Sequence, residues 1–179
     1  MTGLEPADAY QRAAALFGET ISTLSDDEWD LPTRPGEWTV VTTVASVVVG
    51  DAHVPAVVAG DRLPPSADVD TAVLGPQPVA AWRGTAVAAI AALREAGTAV
   101  SAELVGSRVT ENLVRAWDIG RAVGRPFGIP DDLAEWCLDF WAGHPAAVVG
   151  GGVLAEQPVE PPAGASAPVR LLALTGRVA

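Results

Sequence analysis

Proline and glycine cut this chain into stretches of helical length, and within each stretch the apolar residues recur at helical intervals. Pro6 suits a first helical turn, and Tyr10, Ala13, Phe17, Ile21 and Leu24 form one apolar stripe, which predicts a helix ending near Ser25. "SDDEWDLPTRPGEW" follows as a polar connector with room for one short turn at 26–29. Thr39 is placed to cap a second helix over 40–59. Its β-branched residues would also suit a strand, but its length and the helical spacing of its small polar residues favour helix, with Pro55 bending the last turns. After the long loop "GDRLPPSADVDTAVLGPQP", helices are expected over 78–96, closed by Gly97, and over 107–123, stopped by Gly124 and Pro126. A fifth is expected over 130–142, opened by acids where the helix dipole favours them. The tail over 148–179 is too rich in Pro and Gly for regular structure, with Gly150 to Gly152 a flexible joint, until "SAPVRLLALTGR" offers a last short helix capped by Ser166. No repeat appears and strands have little room. The expectation is an all-α helical bundle, one domain over 1–179.

Charge narrows the partners. All eleven basic residues are arginine, none clusters with others, and the formal net charge is −11. Such a surface repels phosphate backbones and anionic lipids, which argues against nucleic acid and membrane as partners. The single cysteine, Cys137, has no internal disulfide partner, as suits a reducing cytosol. "MTGLEPADAYQR" lacks the basic and apolar regions of a signal peptide, and the apolar run "VVTTVASVVVG" stops at Gly50 and Asp51, short of a membrane span. The expectation is a soluble cytoplasmic protein, and a homodimer is compatible with it.

Two helices carry residues capable of chemistry. On the second, Thr42, Ser46 and His53 form a narrow polar line on an otherwise valine-rich surface, which either lines a cavity or bonds back to its own backbone. On the fourth, Arg108, Glu111, Arg115 and Asp118 step by three, four and three and so stack on one face. Spacing alone reads this as a solvated, salt-bridged face. "DAH" at Asp51 to His53 is a weak ligand pair, because two histidines in the chain cannot build an ordinary zinc site without many carboxylates. Cys137, among aromatics in "LAEWCLDFW", reads as a packing residue. No catalytic triad, P-loop or dinucleotide fingerprint is present.

"LSDDEWDLPTRPGEWTV", "LVRAWDIGRAVG", "IPDDLAEWCLDFW" and "RLLALTGR", in that order, resemble the DinB-like four-helix bundles of actinobacteria, of the mycothiol-dependent maleylpyruvate isomerase N-terminal type. The resemblance implies a metal-binding bundle that moves thiols or isomerises thiol adducts. It implies three interior ligands, which fall here at Ser46, Glu111 and Arg115, where the family has histidine, an acid and histidine. Only Glu111 is a ligand type, since a guanidinium stays protonated and has no lone pair to give. On this resemblance the Glu111/Arg115 face points inward, and a buried Glu111–Arg115 pair stands where the cation would be, with Ser46, Arg108 and Asp118 bonding to it.

The expected function is therefore a metal-independent enzyme, using no cofactor, that isomerises or cyclises a small molecule in the bundle interior. Glu111 would be the general acid/base and Arg115 would hold or polarise a substrate oxygen. Ser46 and His53 would complete the polar wall, with Trp38 and Trp117 as apolar contacts. Two alternatives stand beside it: a metal- and mycothiol-dependent transferase or isomerase using His53, Asp51 and Glu111, and a non-catalytic small-molecule binding protein.

Overall fold

The computed structural model describes residues 3–33, 38–62, 69–99, 101–125, 127–144 and 158–179. They are helical and contain no strand beyond a lone antiparallel bridge between Pro32 and Thr39. The α-helices are α1 (Pro6–Ser22), α2 (Val40–Ala52), α3 (Val54–Val58), α4 (Pro78–Ala96), α5 (Ala102–Ala122), α6 (Asp131–Gly143) and α7 (Ala167–Leu174). α1 packs along α5, α5 against α2, α2 against α4, and α4 back against α1, which closes a ring of four helices. α6 leans on α5 and carries α7. The ring closes over Tyr10, Phe17, Val44, Val47, Leu93, Leu113 and Ile119, all buried. The all-α expectation holds.

Several boundaries differ from expectation. α1 stops at Ser22, because Ser25 opens the next turn instead of closing the first helix. The Ser25 backbone N–H donates to Glu28 at 2.9 Å and its hydroxyl to Asp27 at 2.7 Å, fixing the short turn Asp26–Glu28. The second helix is two pieces that meet at His53. Pro55 has no N–H to give to Asp51, and its ring crowds that carbonyl, so a bend becomes a break. Together Val40–Val58 are long and apolar enough, by length and composition, to cross a membrane, contrary to the reading that the run stops at Gly50. In this fold the stretch packs on α4 and α5, and its Asp51 pairs with an arginine of α5.

α5 begins five residues earlier than expected. The Ser101 hydroxyl accepts the Leu104 N–H at 3.4 Å, and Gly106, which reads as a loop residue, is the seat of the Phe140 ring of α6. A Cβ there would fall 2.2 Å from a ring carbon. The helix ends as expected before Gly124, whose φ of 67° is the left-handed value a helix stop needs. α7 follows Ser166, but that side chain makes no capping hydrogen bond. The Gly150 to Gly152 joint and the start of the tail lie outside the described residues.

Arg125, just past α5, clamps the turn after α1. Its two Nη atoms donate to the Glu28 oxygens at 2.7 and 2.9 Å and also reach the Thr23 carbonyl. The Arg125 guanidinium first, and the Ser25 amide second, hold the Glu28 carboxyl down at about 2. A depressed acid pKa contributes stability that is present above the ordinary glutamate range and is lost as pH falls toward the folded value. The Glu28 carboxyl resonance is expected to titrate near the folded value of about 2, and Glu28→Gln to flatten the loss of stability between roughly pH 4.5 and 2. Titration of Glu28 in the ordinary glutamate range would show the clamp to be absent.

Candidate functional site

Four of the charged residues of α5 share one face, and the face is interior. Arg108, Glu111, Arg115 and Asp118 are 6%, 7%, 2% and 2% exposed. The solvated reading of that line is corrected by burial. Five ion pairs thread them, with two residues from elsewhere in the chain, into one run of alternating charge.

Asp51 of α2 starts the run. Arg108 reaches across with Nε to Asp51 Oδ1 at 3.0 Å, Nη1 to Glu111 Oε2, and Nη2 to the Val47 carbonyl at 3.3 Å. Arg115 lies between Glu111, whose Oε1 is 3.9 Å from Nε, and Asp118, whose Oδ2 accepts from Nη1 at 3.3 Å. Arg177, just past α7, forks onto both Asp118 oxygens at 3.2 and 2.9 Å and also reaches the Thr175 carbonyl. The order is Asp51, Arg108, Glu111, Arg115, Asp118, Arg177, and the formal charges cancel.

Glycine makes the first crossing possible. A Cβ on Gly50 would sit 2.0 Å from Arg108 Nη1, so only glycine lets the guanidinium lie flat against α2. Burial pushes the Asp51 carboxyl up, against the pull of Arg108, and pushes Asp118 up against the pull of Arg177 and Arg115. Desolvation also lowers Arg115, although Glu111 and Asp118 oppose it. For Arg108 the facing carboxylates outweigh desolvation, and its guanidinium is held protonated more firmly than usual. Three interior polar atoms along or beside the run lack a hydrogen-bond partner among the described residues: Asp51 Oδ2, Arg115 Nε and the Tyr10 hydroxyl. The tyrosine is close enough to Asp51 for that charge to reinforce the burial that keeps its proton on.

The expected Glu111–Arg115 pair is thus the loosest link of the run, beyond hydrogen-bond distance. Glu111 is held by Arg108, and Arg115 by Asp118 and by the Trp38 ring, whose centroid lies 4.7 Å from its guanidinium carbon. Ser46 does not join them: its hydroxyl donates to the Thr43 carbonyl at 2.7 Å, the backbone-bonded alternative of the sequence reading. His53 sits half-buried at the break between α2 and α3, its ring without a hydrogen bond among the described residues. Trp117 lies on another side of α5, under Arg121. Cys137 is a core residue, its thiol pushed up to about 12 by burial.

A divalent cation does not fit the positions that the family resemblance would assign to its ligands. Ser46 has turned to its own backbone, Glu111 is bonded to Arg108, and Arg115 offers no lone pair. Among the described residues no three His, Cys, Asp or Glu side chains gather to hold a metal.

Arg177 is the member of the run that the sequence does not place in any site, and Asp51 enters only as a ligand of the metal-dependent alternative, not as the partner of Arg108. Asp51 carried a signal, as a lone acid deep in a valine-rich helix that must find a cation if buried. Arg177 carried none beyond its place in "RLLALTGR".

No family model and no solved structure matches the chain. It is similar to Uncharacterized protein Rv0738 of Mycobacterium tuberculosis strain H37Rv, 29% identical over 136 residues that cover 73% of this chain and 74% of that one. Uncharacterized protein MT0763 of strain CDC 1551 matches with the same identity and coverage.

Proposed function

We propose that the protein is a metal-independent small-molecule enzyme of the DinB-like kind, acting by isomerisation or cyclisation, in the setting of specialised metabolism. The observation that carries this reading is the buried Glu111, bonded to Arg108 and 3.9 Å from Arg115, with a small exposure left to it. Isomerisation needs a proton taken from one substrate atom and returned to another, and one carboxylate does both without redox chemistry. Arg115 Nε–H, unpartnered in the interior, supplies a donor for a substrate oxygen on which charge develops. Arg108 and Asp118 hold those two side chains in place and Trp38 backs Arg115; Ser46, bonded to its own backbone, and Trp117, on another side of the helix, take no part in this reading.

A non-catalytic binding protein is the second reading, favoured by the fact that the six buried charges satisfy one another. Glu111→Gln separates the two. It keeps the shape and removes the basic carboxylate, so turnover of a substrate is expected to fall roughly a hundredfold or more while the ligand-induced thermal shift persists. Normal turnover by Glu111→Gln would overturn the catalytic role, and binding without turnover by the unaltered protein would favour the second reading. One zinc, nickel or manganese per chain, lost on chelation together with stability, would instead support the metal- and mycothiol-dependent alternative.

A further inference from the structure

A groove of about 260 Å³ opens where α5 ends, lined by Pro32, Thr33, Trp117, Asp118, Arg121, Ala122 and Val178. It is not the place that Glu111 serves. Seven residues of helix separate Glu111 from Asp118, roughly 10 Å of rise, so a molecule in the groove does not touch Glu111.

Its chemistry is lopsided. Asp118 is already neutralised, both oxygens being taken by Arg177 and one shared with Arg115. Arg121 has no carboxylate partner among the described residues. Its Nη1 reaches the Val178 carbonyl at 3.4 Å, and its guanidinium lies over the Trp117 ring with its carbon 5.0 Å from the centroid. Nε and Nη2 are left without a protein acceptor among the described residues, and that edge of a guanidinium matches a carboxylate with two parallel hydrogen bonds. Trp117, 9% exposed, shows an edge to the groove.

We infer that this groove binds a small monocarboxylate with a flat, unsaturated body, its carboxylate on Arg121 and its body between Pro32 and the open edge of Trp117. One available cation suits one negative charge. A second charge on the ligand would meet no further counter-ion among the lining residues and would face a protein of net charge −11. The volume lies at the small end for ligand sites, which limits the body to about one ring or a short conjugated chain.

The full-length protein, titrated with benzoate, cinnamate and sorbate, provides the test, followed by the Trp117 indole N–H resonance, which Trp117→Phe assigns. At least one of the three is expected to give a saturable shift below about 10 mM. Benzamide, neutral and of the same shape, should bind at least tenfold more weakly, as should any of them to Arg121→Gln, a surface change that leaves Tm unaltered. Arg121→Lys should recover part of the loss, since it restores the charge but not the fork. No saturation by any of the three, equal binding by Arg121→Gln, or inorganic phosphate binding more tightly than all three would overturn the inference. Only binding is read and Glu111 is untouched, so this result and the Glu111→Gln result stand or fall separately.

Discussion

Asp51→Ala is expected to destabilise the folded protein by about 3–5 kcal/mol, the range seen when one partner of a buried ion pair is removed. The carboxylate is fully buried and, among the described residues, is one of two anions that Arg108 touches, so its loss strands half of a guanidinium against α2. Arg108→Met should be as damaging, because it leaves Asp51 without a cation and Glu111 with only the looser Arg115. The double variant removes a neutral pair and should lose much less than the sum of the singles, the signature of direct coupling. Gly50→Ala should act in the same direction without touching any charge, since its methyl group occupies the place of Arg108 Nη1. Urea denaturation of the four variants decides the matter. Single losses under about 1 kcal/mol would mean that water reaches the pair and screens it.

The second large effect sits at the other end of the run. Arg177→Met should destabilise by about 3 kcal/mol near neutral pH, by leaving Asp118 with Arg115 as its remaining cation. This loss has a signed pH dependence. Burial already holds the Asp118 carboxyl above its ordinary value, so the native state binds more protons than the unfolded one just above that value, and stability falls as pH rises through the interval. Without Arg177 the interval widens upward. The deficit of Arg177→Met relative to the unaltered protein should therefore narrow as pH falls from 7 toward the ordinary aspartate range. A deficit that stays constant with pH would show that Arg177 acts through packing and its bond to the Thr175 carbonyl instead.

The helices were legible because their apolar residues recur at helical spacing and their ends are marked by residues with a local reason to stop, such as Gly97 and Gly124. The errors fell where a local signal was outvoted by something distant. Gly106 reads as a loop residue and is a contact residue, required by a ring on α6 that no neighbouring letter announces. The line Arg108, Glu111, Arg115, Asp118 was readable as a line, but spacing is blind to whether a face looks at water or at another helix. Its inward direction came only from the family resemblance. The partners that make burial tolerable, Asp51 and Arg177, lie 57 and 59 residues away from the groups they meet, and pairing at that range is a property of the fold. Pro55 disturbs the second helix where a proline should, but as a break and not a bend.

The alternation of the run also constrains how such a protein can change over generations. Deleting one charge anywhere along Asp51, Arg108, Glu111, Arg115, Asp118 and Arg177 leaves an odd set with a net interior charge. Deleting an adjacent pair leaves a neutral one. Descendants therefore move between viable interiors in steps of two, and each step crosses an ancestor that carried an unbalanced interior and needed stability in reserve to survive it. Substitutions at these six positions should accordingly be inherited in opposite-charge couples, most readily from either end of the run, where a couple can be lost without dividing what remains.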